Sequence, residues 1–170
     1  MIHLRSVRYR DWQSFYSLYT DELIERDLPF TRRLTKFECY VWFVSIVFKL
    51  RPGLIMSKAI CLDNVLVGLI FLEQYSPVHQ SANISFDLKP IHHGKGIGSS
   101  MVRDFCQIAF LNEKVNRINA IVRPENQKSK KLLSQLGFTK EAFLKQYRHF
   151  KGSLIDVFMY RLCKDEFKNN

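Results

Sequence analysis

Between Asp87 and Ser99 the chain reads Asp-Leu-Lys-Pro-Ile-His-His-Gly-Lys-Gly-Ile-Gly-Ser, and no other stretch narrows the fold as far. Ile84, Phe86 and Leu88 alternate with Ser85 and Asp87, the period of a strand. Behind the glycines, Ile97, Met101, Phe105 and Ile108 recur on one face of a helix running from Gly96 to about Asn112. A strand therefore enters a helix through a proline-marked bend and a turn built on Gly94, Gly96 and Gly98. Such a turn brings backbone N–H groups close to a ligand, because a Cβ would obstruct both the reversal and the approach. The helix adds its unpaired first N–H groups and the positive end of its dipole, so an anion is stabilised there, and Lys95 supplies a charge. The expected occupant carries phosphate.

Two common phosphate motifs are excluded. No window supplies G-x-x-x-x-G-K-[ST], the loop of nucleotide triphosphatases. The spacing here is G-x-G-x-G, not the G-x-G-x-x-G of dinucleotide binders, and it follows a run of hairpin strands.

A chain of 170 residues is read as one domain, 1–170, that buries about 70 % of its unfolded surface without disulfides or metal. Its net charge of +10 favours anionic ligands by raising their encounter rate. Nucleic acid is disfavoured as a partner: Arg8, Arg10, Arg32, Arg33, Lys128, Lys130 and Lys131 fall on different predicted elements, with no basic block and no aromatic RNA-binding signature. Cys39, Cys61, Cys106 and Cys163 lie apart within apolar runs and read as reduced thiols of a cytoplasmic protein, with Cys106 in the core. The first eight residues are not a secretion signal. The apolar run from Tyr40 to Phe48 is shorter than the roughly 20 residues needed to cross a bilayer, so no membrane role is expected. His3, His79, His92, His93 and His149 show no ligand spacing, so no metal is expected.

Residues 2 to 8 predict a first strand, and Asp11 the N-cap of a helix carrying Trp12, Phe15, Tyr16 and Tyr19. Thr35 and Glu38 form a capping-box signature for a second helix reaching about Leu50. Asp63-Asn64 separates the apolar runs Leu54 to Cys61 and Val65 to Leu72 and predicts a hairpin, with Ile84 to Leu88 as the third strand of the meander. After the glycine turn and its helix come a strand from Arg117 to Arg123, a helix from Asn126 to Leu136 ended by Gly137, and strands near Thr139 to Gln146 and Leu154 to Leu162. The predicted architecture is a mixed α/β sheet with two helices inserted early and two late.

Asn126-Gln127-Lys128-Ser129 opens the later helix directly after a strand, so a second strand-to-helix junction shares the sheet edge with the first. With His93-Gly94-Lys95-Gly96-Ile97-Gly98, this pattern resembles the acetyl-CoA motif of the GNAT superfamily of N-acetyltransferases, [QR]-x-x-G-x-[GA] followed by N-x-x-[SA] and G-F, the last met by Gly137-Phe138. His93 stands where Gln or Arg is usual. Segment 84 to 162 is similar to the ribosomal-protein N-terminal acetyltransferase branch, which ends in a pattern like Phe143-Leu144-Lys145 and Gly152-Ser153-Leu154-Ile155-Asp156. The resemblance implies a single-domain α/β GNAT fold: a mixed, mostly antiparallel twisted sheet of about six to seven strands with about four helices, and splayed strands at the acetyl-CoA site. It implies that backbone amides of His93, Gly94, Lys95, Gly96, Ile97, Gly98 and Ser99 hold the CoA pyrophosphate. Backbone groups of Phe86 and Leu88 would meet the pantetheine arm, Asn126 and Ser129 would contact the cofactor near its arm, and Lys130 could pair with a phosphate.

Direct acetyl transfer to nitrogen needs a neutral amine, a proton acceptor, a donor to the developing oxyanion and a proton for the leaving thiolate. Glu73 is the first candidate base and Asp87 the second. The tyrosine that many family members place after the motif leucine is replaced by Leu133. Ser129 is therefore the candidate thiolate donor, with Tyr147 and Tyr160 as stand-ins. The expected acceptor is a primary amine, either a protein N-terminus or a small amine. A polycation would require acids such as Glu22, Glu25 and Asp27 near the acyl group. The competing readings are a polyamine or antibiotic acetyltransferase, a non-catalytic CoA-binding module and an RNA-associated protein. A homodimer is left open.

Overall fold

A computed structural model of the chain describes residues 1–112 and 114–167. Seven strands form one sheet: β1 (Ile2–Arg5), β2 (Met56–Leu62), β3 (Val65–Ser76), β4 (Ser81–Leu88), β5 (Arg117–Val122), β6 (Thr139–Phe150) and β7 (Ser153–Cys163). Their order is β1-β2-β3-β4-β5-β7-β6, and every neighbouring pair is antiparallel except β4 and β5. The helices are α1 (Trp12–Tyr19), α2 (Glu22–Asp27), α3 (Lys36–Val47), α4 (Ile97–Asn112) and α5 (Gln127–Gln135). Ile70, Leu72, Ile84 and Ile118 face α4 and α5 on one side of the sheet. Ala59, Cys61, Leu69 and Phe71 face α1 to α3 on the other. Burial on both faces explains why β2 and β3 read as continuous apolar runs instead of alternating.

The turn chemistry follows the residues. Asp63 and Asn64 both take positive φ, 47° and 67°, the conformation that a two-residue hairpin demands and that these short polar side chains tolerate. The α3 capping box is formed: the Glu38 amide donates to Thr35 Oγ1 at 3.2 Å, and the Thr35 amide to Glu38 Oε2 at 2.8 Å. Gly137 ends α5 at φ 87°.

Several expectations are corrected. The first strand stops at Arg5, because the chain turns to bring the Arg8 amide to Asp11 Oδ2 at 2.8 Å. Asp11 stands at the α1 N-cap position, but its carboxylate caps nothing there; Arg5 takes it at 2.7 Å to each oxygen. Helix α3 ends at Val47, not Leu50. The six-residue α2 was not foreseen; Asp21 caps it by accepting from the Leu23 amide at 3.0 Å. The last hairpin is longer than its apolar pattern. A bulge at Gln146 (φ 49°) interrupts the alternation of β6, and pairing resumes through Arg148 to the Lys151-Gly152 turn.

Candidate active site

Strands β4 and β5 pair only through Ser81, Ala82 and Asn83 against Arg117, Ile118 and Asn119. From Ile84 onward β4 remains bonded to β3, but its other edge has no strand partner among the described residues, so the sheet opens into a cleft flanked by Phe86 and Leu88 on one side. Unpaired backbone N–H and C=O groups along such an edge require partners, and an amide-bearing chain laid in the cleft would provide them.

The glycine turn sits at the wide end of this cleft. Gly94 and Gly96 take φ 74° and 75°, and a Cβ built on either meets no protein atom within 4 Å, so both border open space. Among the described residues the amides of residues 94 to 99 donate to no backbone carbonyl, whereas the His93 amide is committed to Pro90 O at 3.0 Å. The His93 ring returns to the strand, its Nε2 lying 2.8 Å from Leu88 O. The side chain that departs from the family pattern thus ties the turn to the end of β4. Gly98 serves packing: a Cβ there would stand 3.2 Å from Leu132 of α5. Taken together, an open-edged strand, a glycine cradle with free amides and a helix N-terminus fit the arm and pyrophosphate of acetyl-CoA.

At the start of α5, Asn126 Oδ1 accepts from the Ser129 amide at 3.0 Å and caps the helix. The Ser129 hydroxyl is half-buried and bonded to no group among the described residues, so it has a proton to give. Lys130 instead donates to Pro124 O at 2.6 Å and lies over the Phe158 ring. Leu133 points into the core on the α4 side, as does Tyr160, while Tyr147 is exposed on β6. The Cys106 thiol is enclosed and pushed up to about 12 by burial, which makes it inert at neutral pH.

On the opposite face, Glu73 and Asp87 lie in register with Asn83 and Leu69 on the α1 side of the sheet. Both Glu73 oxygens are engaged, Oε2 by Arg51 at 3.0 Å and Oε1 by Ser85 at 3.2 Å. Asp87 has no cation beside it among the described residues. The Tyr19 hydroxyl donates to its Oδ2 at 2.8 Å. Burial pushes the Asp87 carboxyl up to about 6, with the charges of Asp27 and Glu73 adding to the rise and the Tyr19 hydrogen bond opposing it. Burial, then the Asp87 charge, likewise hold the Tyr19 hydroxyl well above the usual phenol range, so it remains a donor. Tyr19 also lines a cavity of about 100 Å³ with Glu25, Phe30, Arg33 and Lys151, between α1, α2 and the β6–β7 turn. Sequence reasoning placed Tyr19 in an aromatic core stripe. Its partner lies 68 residues away, and no local pattern connects them.

The chain matches the acetyltransferase (GNAT) domain family over residues 2–139 and belongs to that family. A relative from Bacillus licheniformis, named uncharacterized N-acetyltransferase p20, is 45% identical over 86 residues, which is 51% of this chain and 48% of that protein. The chain thus spans about half the length of that relative. Mycobacterium smegmatis RimJ in complex with CoA-disulfide superposes with a TM-score of 0.85 at 26% identity, covering 97% of this chain and 83% of that one. A spermidine N(1)-acetyltransferase from Vibrio cholerae is 26% identical over 104 residues, 61% of this chain and 60% of that protein.

Proposed function

We propose that this chain transfers the acetyl group of acetyl-CoA to the N-terminal amine of a protein. The observation that carries the reading is the β4–β5 cleft ending in a glycine cradle, a shape that takes an amide-linked arm and a pyrophosphate in one ligand. Amides from Gly94 to Ser99 would hold the pyrophosphate, the free edge of β4 around Phe86 the pantetheine, and Ser129 would give a proton to the departing thiolate. A carboxylate on the α1 side of the sheet, Glu73 or Asp87, would take the proton of the amine.

Charge supports an N-terminal amine over a polyamine. A polycation needs uncompensated carboxylates along its length. Glu25 is paired with Arg33 at 3.3 Å, Asp27 with Arg123 and Glu38 with Arg32, the exposed Glu22 alone of the three acids named from the sequence has no ion pair among the described residues, and Arg32, Arg33 and Lys151 line the nearby cavity. Similarity both to Mycobacterium smegmatis RimJ and to a spermidine N(1)-acetyltransferase makes the acceptor the decisive experiment. The test is calorimetry with acetyl-CoA for the wild type and Gly96→Glu, followed by mass spectrometry of peptides with free N-termini and of spermidine after incubation. Binding lost in the variant and acetylated peptides are expected. Acetylated spermidine with unmodified peptides would replace the acceptor, and absence of binding to the wild type would remove the reading.

A further inference from the structure

We infer that Asp87, positioned by Tyr19, is the group that accepts the proton of the acceptor amine. The inference rests on the functional reading above and names the residue that reading leaves open. Asp87 lies on β4 between Phe86 and Leu88, the residues whose backbone borders the cleft, so its side chain projects to the α1 face from the strand that flanks the thioester arm. Its two oxygens are not equivalent. Oδ2 accepts from Tyr19 at 2.8 Å; Oδ1 has no hydrogen bond among the described residues and is not sealed away, since the Arg5 Nε is the one enclosed side-chain polar atom found without a partner there. A carboxylate with one oxygen fixed and the other open is suited to receive a proton from an approaching ammonium. Glu73, by contrast, spends both oxygens on Arg51 and Ser85.

The titratable groups acting on Asp87 are Tyr19 from α1, Asp27 from α2 and Glu73 from β3, while Arg51 ahead of β2 bonds Glu73 and acts on Tyr19. Lys89, two residues on, is turned to Ser17 at 3.1 Å. Burial among these groups places the carboxyl near 6, so it is ionised at neutral pH yet far closer to an N-terminal amine than an ordinary carboxylate.

The step balances. The ammonium gives one proton to Oδ1, and the neutral nitrogen forms a bond to the thioester carbon. The tetrahedral adduct then expels CoA thiolate as the C–S bond breaks. The second amine proton passes to the thiolate, directly or through the Ser129 hydroxyl, and the proton on Asp87 leaves to water. The products are amide, free CoA and one proton.

Two measurements test this. The first follows rate against pH, from about pH 5 to 9, for the wild type, Asp87→Asn, Tyr19→Phe and Glu73→Gln, on the acceptor that the wild type acetylates, with acetyl-CoA affinity measured in parallel. Asp87→Asn should lose about 100-fold or more in kcat/KM with acetyl-CoA affinity retained. Tyr19→Phe removes a donor that favours the carboxylate, so its acidic limb should move to higher pH. The second measurement titrates the Asp87 carboxyl carbon by NMR and is independent of turnover. A midpoint near 6 that rises in Tyr19→Phe supports the inference; a midpoint at the ordinary value of about 4 overturns it. It is also overturned by Asp87→Asn keeping activity within about threefold of wild type while Glu73→Gln loses the acidic limb. A wild type that acetylates no amine while its carboxyl titrates near 6 defeats the functional reading instead, and with it the role assigned to Asp87.

Discussion

The Asp11 carboxylate is almost wholly enclosed, with 6% of its side chain exposed, and Arg5 meets both its oxygens while the Arg8 amide adds a third bond. Burial alone would raise this carboxyl; the Arg5 hydrogen bonds, the Arg8 amide and the charges of Arg5 and Arg10 hold it below the usual range instead. Its folded pKa is therefore depressed, so its stabilising contribution is present above the unfolded value and is lost as pH falls through the folded one. Asp11→Ala leaves a buried guanidinium unpaired and should cost about 3–5 kcal/mol at neutral pH, read as a lower midpoint in urea, with the difference from wild type shrinking in acid. Asp87 has the opposite sign. Its raised pKa means that stability from the neutral carboxyl is present below about 4 and lost as pH rises through 6. Asp87→Asn cannot ionise and should melt at or above wild type at pH 7.5, by an amount on the order of 2 kcal/mol, and show no such gain near pH 4. Ser129→Ala removes a hydroxyl that bonds no group among the described residues, so thermal stability should be unchanged while kcat falls about tenfold.

Among the elements, β4 depends on its neighbour for position. Gly68 of β3 lies across from Leu88, and a Cβ there would stand 2.5 Å from Asp87 O. Gly68→Ala should cost about 1–3 kcal/mol and, by displacing β4, weaken acetyl-CoA binding measured by calorimetry; tight binding retained would show that the strand can yield. Elements with a complete local signal were legible in the sequence: the Thr35–Glu38 box, the Asp63-Asn64 turn, the glycine cradle and the Asn126 cap each place donor, acceptor or positive φ within a few residues. Features decided by distant partners were not. Asp11 has the residue type of an N-cap, but Arg5 outcompetes the helix for its oxygens. The short α2 lacks the length for a visible period, and Gln146 hides the end of β6 in a bulge. The glycine cradle is local backbone chemistry, so it could be read; the Tyr19–Asp87 and Arg51–Glu73 contacts join α1, β3, β4 and the segment ahead of β2, so they could not.

At the scale of the molecule, Arg123 at the end of β5 ties three pieces together: it bonds Asp27 at the end of α2, lies 3.5 Å from Glu125, and rests over the Phe150 ring of β6 at 4.3 Å. The turn after β6 also reaches this region, the Lys151 amide donating to Pro29 O at 3.2 Å. Arg123→Ala should loosen α2 from the last hairpin, seen as faster hydrogen exchange in both, and raise KM for the amine while acetyl-CoA affinity holds. Because only three residue pairs join β4 to β5, the strands β1 to β4 and β5 to β7 form two leaves sharing a short seam. A ligand lying in the open part would act as mortar, completing a sheet that the chain leaves unfinished. If acetyl-CoA fills that opening, resistance to heat and proteolysis should rise with its concentration, read as a higher Tm with the ligand than without it.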